Sequence, residues 1–343
     1  MKKIALTGGG TGGHIFPLLS IYNYFKDEKK YEFIWFGDEE QLEAEIAFEN
    51  NIKFIDIPSG KVRRYFDIRN FFEPLKNISG IFWGIYYILK NDVDIIFSKG
   101  GYVSLPVCIA SFLLRKKIYI HESDAVSGIT NNLISKLATK VFYTFPNEKI
   151  DSKKHILVGQ ILNPDLLENI ENNEIEENEK LEILVIAGSQ GSTIIFENIK
   201  TILNNLIDIN FTIILGDKNL HFRSEFEKFN NVKIYDFVSQ KELGEIYKKT
   251  DIAISRGGAT TLWELYYFGI HSIIIPLKGS AQDHQMENAK YFNNEFGSIL
   301  LEESGELNLN IFRLLTKYKD LRKSGLNLKG FYDSLKKIKT EIN

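Results

Sequence analysis

The stretch Thr7–Pro17, TGGGTGGHIFP, follows the apolar run Ile4, Ala5, Leu6 and offers two kinds of chemistry. Gly8, Gly10 and Gly13 spell G-x-G-x-x-G, a turn whose backbone N–H groups can close on a phosphate at a helix N-terminus. His14 stands at the mouth of the helix that follows, where an imidazole can serve as a general base. The positive end of the helix dipole disfavours an imidazolium there, so a neutral, proton-accepting ring is expected. The plainer alternative is a histidine that only hydrogen-bonds the loop. Three further Gly-rich turns recur: SKGGYVS at 98–104, AGSQGS at 187–192 and SRGGATT at 255–261. Any one of them can be a purely structural turn. Four, each after a β-rich run, point to a diphosphate-bearing ligand shared by two domains.

The second half adds polar groups at helix starts. Glu264, one turn into SRGGATTLWE, suits the diol of a ribose, and equally suits a T-x-x-E capping box with Thr261. Downstream, Gln282, Asp283, His284, Gln285 and Asn288 of QDHQMEN offer groups for sugar hydroxyls, or an ordinary helix cap. A dehydrogenase needs an acid about 20 residues past its glycine loop, and Asp38 stands near that place. That NAD reading leaves the polar clusters of the second half without a role. Asp92-Val93-Asp94 forms a D-x-D, but it precedes the run Ile95–Phe97 instead of following a strand, so it reads as a turn.

These loops need a scaffold, and the chain alternates short β-rich runs with helical stretches throughout. Strands are expected at Lys3–Thr7, Phe33–Phe36, Phe54–Ile57, Ile95–Ser98, Ile118–Ile120, Val141–Tyr143 and Ile156–Val158. After the Glu- and Asn-rich stretch Glu168–Glu182 the alternation restarts, at Ile183–Ala187, Phe211–Leu215, Val232–Tyr235, Ile252–Ile254, Ser272–Ile275 and Ser298–Leu301. The expected fold class is α/β: two Rossmann-like, doubly wound parallel-sheet domains facing a cleft. The expected divisions are an N-terminal domain 1–163, a linker 164–180, a second domain 181–325 and a C-terminal helix 326–343.

Composition narrows the class. The 343 residues carry a net charge of −3, an unpromising balance for nucleic-acid binding. Residues 1–163 hold 21 Lys+Arg against 18 Asp+Glu (+3), the remainder 21 against 27 (−6). The one cysteine, Cys108, permits no intrachain disulfide and is expected to be buried. MKKIALTGGG lacks the apolar region of a signal peptide. The longest nearly apolar run, Ile78–Leu89, falls short of the ~20 residues that span a bilayer. Within residues 60–89, Lys61, Arg63, Arg64, Arg69 and Lys76 mix with Phe71, Phe72, Phe82 and Trp83. That mixture suits either an anionic lipid surface or a helix whose aromatics face the core.

Taken in order, GGGTGGHIFP, GGYVSLP, IHESD, GITNNLISKLATKV, AGSQGS, SRGGATTLWEL and DHQMENA resemble the motifs of the MurG family of glycosyltransferases along nearly the whole chain. The resemblance implies a GT-B fold and inverting transfer of N-acetylglucosamine from UDP-GlcNAc to lipid I, the undecaprenyl-linked muramoyl-peptide, to form lipid II. It implies no cofactor or metal, and docking on the anionic cytoplasmic face of the cell membrane. Among its site residues, Thr11, Gly12 and Gly13 match the first UDP-GlcNAc-contacting loop and Ser189 the donor loop of the second domain. Val238 matches a backbone contact to uracil, Ala259, Thr260, Thr261 and Glu264 the nucleotide-binding helix start, and Gln285 the glutamine that reads the donor sugar. His14 matches the family histidine and is the expected base, with Glu122 and Asp124 as alternatives, while the first loop is expected to serve the acceptor diphosphate. Two positions depart from the pattern: HEQN has become His121-Glu122-Ser123-Asp124, and the arginine of GNPVR has become Asn163. Rival readings are a glycosyltransferase acting on diacylglycerol, an NAD-dependent oxidoreductase and a non-catalytic nucleotide-binding module.

Overall fold

The computed structural model describes residues 1–10, 12–61, 73–150, 152–168, 179–327 and 330–343. The chain divides into two compact units, Met1–Asn163 with Tyr332–Asn343, and Pro164–Phe331.

The first unit is built on β1 (Lys2–Gly8), β2 (Tyr31–Gly37), β3 (Lys53–Asp56), β4 (Ile95–Gly100), β5 (Lys117–Glu122), β6 (Lys140–Tyr143) and β7 (His155–Leu157). They form one parallel sheet in the order β3-β2-β1-β4-β5-β6-β7. Its helices are α1 (Gly12–Phe25), α2 (Leu42–Glu49), α3 (Glu73–Lys90), α4 (Ser104–Leu113) and α5 (Ile129–Ser135). The period-2 pleat sends Ile4, Leu6, Trp35 and Phe97 into one buried layer, and Ala5, Ile34, Phe36 and Ile96 into another. Both faces of the sheet are therefore covered, which is why its central strands are apolar nearly throughout. Strand order reverses between β1 and β4, so the turns after these two strands flank the switch point where α/β sheets take ligands.

The second unit repeats the plan with β8 (Leu181–Ile186), β9 (Ile209–Ile214), β10 (Val232–Tyr235), β11 (Ile252–Ser255), β12 (His271–Ile274) and β13 (Ile299–Leu300). Their parallel order is β10-β9-β8-β11-β12-β13, reversing between β8 and β11. Its helices are α6 (Thr193–Ile202), α7 (Arg223–Phe226), α8 (Gln240–Lys249), α9 (Ala259–Tyr267), α10 (His284–Phe296) and α11 (Leu307–Lys317).

Two boundaries differ from the sequence expectation. Pro164–Leu167 is a 3-10 turn of the second unit, not the start of a linker. Leu166 is buried, and a methyl on Gly244 of α8 would lie 2.0 Å from its carbonyl oxygen. The rest of the expected linker, residues 169–178, lies outside the described residues. The last helix, α12 (Asp333–Ile342), belongs to the first unit, where Leu335, Ile338 and Ile342 join the core beneath α1.

Candidate active site

In the first unit, the β1–α1 turn holds Gly9 and Gly10, with Thr11 outside the described residues. Gly12, Gly13 and His14 form the first turn of α1, with His14 half-buried. Pro17, in the same helix, offers no N–H to the carbonyl of Gly13. The turn after β4 fits closely against this loop: Gly101, at φ +83°, would place a methyl 2.8 Å from the carbonyl oxygen of Gly9. Any larger residue there would separate the two loops. Tyr102 donates to Asp38 Oδ2 at 2.7 Å, and the amide of Glu40 donates to Asp38 Oδ1 at 3.1 Å. The acid that an NAD reading requires is thus held by protein groups. Beneath the loop lies Glu43, fully buried against Gly9, and burial raises its carboxyl above the usual range.

At the end of β5, Glu122, expected as an alternative base, clamps the loop that follows. It accepts from the amides of Asp124 (3.2 Å) and Gly128 (3.1 Å) and from Asn131 Nδ2 (3.0 Å). Burial and the charge of Asp124 raise its pKa. Asp124 sits half-buried on that loop. His121 is completely buried; its Nε2 faces the carbonyl of Gly159 at 2.9 Å and its Nδ1 faces Lys99 Nζ at 2.8 Å. That pattern fits a neutral ring protonated at Nε2, in line with burial and Lys99 lowering its pKa well below the ordinary value. Asn163, where the family arginine is replaced, is buried.

In the second unit, the three turns that carry the expected donor contacts are tied together. Ser189 lies exposed in the β8–α6 turn, its carbonyl accepting from the amide of Asp217 at 3.0 Å. Ser192 caps α6, and Arg256 Nη2 donates to its Oγ at 2.6 Å. The same guanidinium pairs with Glu303 at 2.5 Å and reaches the carbonyl of Ile275 at 3.1 Å. Arg256 thereby links the turns after β8, β11 and β12. Gly257 presses on α10: a methyl there would lie 2.2 Å from the carbonyl oxygen of Gln285, and Asn288 Nδ2 donates to the Gly257 carbonyl at 3.0 Å. Gln285 Oε1 accepts from the amide of Leu277 at 3.0 Å, which fixes the side chain and leaves its NH2 to donate elsewhere. Val238 precedes the Ser239 cap of α8 and is half-buried.

At the starts of α9 and α10 the helix caps offered as alternative readings do not form. Gly258 is the N-cap of α9, so Ala259, Thr260 and Thr261 are its first helical residues and no Thr261–Glu264 capping box forms. Glu264 turns inward instead, 5% exposed, accepting from the Tyr247 hydroxyl at 2.8 Å through Oε2. Burial pushes its pKa up to about 7, against the lowering effect of that hydrogen bond. The QDHQMEN segment is no ordinary cap either. Gln282 and Asp283 both adopt left-handed φ, 53° and 52°, and the Asp283 side chain makes no cap hydrogen bond. Such strain in successive non-glycine residues collects at functional sites.

Asp92-Val93-Asp94 is a turn at the amino end of β4, where Asp94 Oδ2 accepts from the amide of Lys3 at 2.9 Å. Among the described residues no group of His, Cys, Asp and Glu is arranged to hold a metal ion. Cys108 is buried, its thiol pushed up to about 12. Lys99 and Arg256 carry no role in the sequence reading, although each interrupts an apolar strand or its end. A cation in that position needs partners, and this is the signal that could have found them.

Helix α3 resolves its own alternatives. Its core-facing stripe is Gly80, Gly84 and Ile88, and a methyl on Gly80 would lie 2.0 Å from the Pro58 carbonyl oxygen. Away from that stripe, Leu75, Ile78, Phe82, Trp83, Tyr86 and Leu89 are all exposed, Phe82 by 70%, while Tyr87 packs partly against the core. The basic residues Arg63, Arg64 and Arg69, with Phe71 and Phe72, lie outside the described residues. Among the described residues no helix is long and apolar enough to cross a membrane.

Residues 4–143 match the glycosyltransferase family 28 N-terminal domain, and residues 182–337 the family 28 C-terminal domain. A Clostridium kluyveri protein named UDP-N-acetylglucosamine--N-acetylmuramyl-(pentapeptide) pyrophosphoryl-undecaprenol N-acetylglucosamine transferase is 38% identical over 88% of this chain and 87% of its own. A Clostridium perfringens protein of the same name is 34% identical over 98% of this chain and 94% of its own. Among solved structures, MurG of Acinetobacter baumannii superposes with a TM-score of 0.74 at 23% identity, over 99% of this chain and 95% of that one. A UDP-GlcNAc 2-epimerase from Neisseria meningitidis does so with a TM-score of 0.70 at 15% identity, over 100% and 99%. Because an epimerase shares the fold, the fold alone does not choose the reaction. The two matched domains and the relatives of one name across the chain do: the chain belongs to the MurG family, within glycosyltransferase family 28.

Proposed function

We propose that this protein transfers N-acetylglucosamine from UDP-GlcNAc to lipid I, giving lipid II in peptidoglycan synthesis. The observation that carries the reading is the agreement of name among relatives that span most of the chain. The second unit supports it by holding the N-termini of α6, α9 and α10 in one interlocked set of turns. In a single displacement the acceptor 4-hydroxyl oxygen bonds to C1 of the sugar while the bond from C1 to the diphosphate breaks. His14 takes the hydroxyl proton and UDP departs. Amides at Ser189 and Gly257–Thr261 receive the charge that develops on the diphosphate, as oriented N–H groups do best when fixed beforehand. The Val238 backbone meets uracil, Glu264 the ribose through the oxygen not taken by Tyr247, and the Gln285 amide the donor sugar. The loop of Thr11, Gly12 and Gly13 serves the acceptor diphosphate and the reacting groups.

The exposed stripe of α3, together with the basic residues that precede it in sequence, supports docking on the anionic cytoplasmic face of the cell membrane as a peripheral enzyme. Changing Arg63, Arg64 and Arg69 together to Ser weakens binding to anionic vesicles by about 1 kcal/mol per residue. Equal vesicle binding by the triple variant and the parent would overturn this placement. The activity is tested by following labelled GlcNAc from UDP-GlcNAc to purified lipid I, with and without excess EDTA. Transfer is expected in both conditions, because helix N-termini carry the diphosphate charge. Activity lost on chelation and restored by magnesium would refute metal independence, and transfer to diacylglycerol but not lipid I would favour the rival lipid acceptor.

A further inference from the structure

Lys99 stands at the carboxyl end of β4, 1% exposed, just before Gly100 and Gly101. Its ammonium meets His121 Nδ1 at 2.8 Å and donates to Ser123 Oγ. His121 is anchored in turn by the carbonyl of Gly159. Burying an ammonium is costly unless opposite charge stands nearby. Here that charge is supplied by Glu122 and Asp124, which act on Lys99 against its desolvation. The two carboxylates also act on each other, Asp124 raising the pKa of Glu122. Ser123 and Asp124 are the two positions at which the chain leaves the family's HEQN pattern. The residue that touches the first and is opposed in charge to the second is Lys99. One buried cation thus meets both substitutions.

We propose that Lys99 is a positioning residue for the acceptor: it balances the second carboxylate that this chain carries at Asp124 and, through Ser123, holds loop 123–128 in its working shape. The proposal rests on the reading that the first unit takes the acceptor. Lys99 itself touches no substrate in this account. It acts through the loop that Glu122 clamps from the other side, by way of the amides of Asp124 and Gly128. Its pKa, lowered to about 8, places the loss of its charge within reach of experiment. Below that pH the cluster of Lys99, Glu122 and Asp124 contains its cation; above it, Lys99 is a neutral amine and no longer offsets the acidic pair. His121, neutral throughout, does not replace it.

The test is a double-mutant cycle on the full chain with Lys99→Met, Asp124→Asn and the pair, read by acceptor KM at saturating UDP-GlcNAc and by thermal unfolding. Lys99→Met is expected to raise acceptor KM about tenfold, within the coupling usual for contacting groups, while UDP-GlcNAc affinity holds. Asp124→Asn in the Lys99→Met background should recover most of that loss, because the unbalanced charge is gone. The parent should lose acceptor affinity as pH rises through about 8, and Lys99→Met should lack that step. If Lys99→Met folds poorly, Lys99→Gln removes the charge but keeps a donor for Ser123 and should show the same missing step. Additive effects in both readouts, or an alkaline step that persists without Lys99, would overturn the proposal. A parent protein with no transfer to lipid I would overturn the function instead, and the unfolding cycle would still report whether Lys99 and Asp124 are coupled.

Discussion

His14 and Glu264 both sit in the first two turns of helices that follow Gly-rich loops, yet their surroundings give them different chemistry. His14 is half-buried at the start of α1, where a base must be reachable. His14→Ala should lower turnover about 100- to 10,000-fold with UDP binding nearly intact. A folded variant keeping more than about a tenth of parent turnover would move the base elsewhere. Glu264 is buried with one neutral partner, Tyr247, whose hydroxyl burial and Glu264 keep protonated. Its pKa is raised from 4.5 to about 7, so the ligand-free fold holds it more easily as the acid. Its contribution to stability is complete below the unfolded pKa and is lost as pH rises through about 7. Glu264→Gln should therefore melt above the parent at pH 8, by the order of 1–3 kcal/mol, and lose that advantage toward pH 4.5. The same variant should bind UDP-GlcNAc less tightly, since an amide is a poorer partner for two ribose hydroxyls. Equal binding would leave Glu264 with a structural role alone. The Gly-rich turn after β1 and the place of His14 at the start of α1 were legible because their types and spacing are local. The direction in which Glu264 faces was not, because a T-x-x-E string fits a helix that starts at Thr261 as well as one that starts at Gly258.

At the scale of elements, the thirteen strands among the described residues were legible, since a parallel sheet buried on both faces writes each strand as a short apolar run. The orientation of α3 was not. A helix bearing Phe82, Trp83, Tyr86 and Leu89 reads equally well as core-facing when its small residues are ignored. The deciding signal is Gly80 and Gly84, four apart, which let the helix lie close against Pro58, Pro106 and Ala110. Two variants separate the faces. Gly80→Ala should destabilise the protein by about 1–3 kcal/mol, because the added methyl meets a backbone carbonyl with nowhere to move. Phe82→Ser, on the exposed face, should leave unfolding nearly unchanged and weaken vesicle binding by about 1–2 kcal/mol. If Phe82→Ser instead lowered the melting temperature as much as Gly80→Ala, the helix would be turned the other way.

For the whole molecule, the decisive feature is that the first unit is not contiguous in sequence. It consists of Met1–Asn163 completed by Tyr332–Asn343, with the entire second unit inserted between them. Periodicity revealed a helix near the C-terminus but could not say which unit it joined, because an amphipathic helix specifies a face to bury and not its partner. The packing gives the answer: Leu335, Ile338 and Ile342 are each 1% exposed or less in the core that also holds Ile15, Phe25 and Tyr119. Lys339 pairs with Glu28, and Lys140 with Glu341, so both flanks of α12 are held as well. Three buried aliphatic side chains contribute roughly 1.5–3 kcal/mol each. Their sum is comparable to the whole stability of an ordinary domain, about 5–15 kcal/mol. A chain ending at Phe331 should therefore lose the cooperative unfolding of its first unit while the second unit, Pro164–Phe331, still folds and is stabilised by UDP. The measurement is thermal unfolding of the full and shortened chains, with and without UDP, alongside hydrogen exchange at β1 and β4. Protection of those strands equal to that in the full chain would show that α12 is dispensable. Exchange at β1 and β4 that becomes rapid while β8 and β11 stay protected would place the completion of the first unit after all of the second has been made.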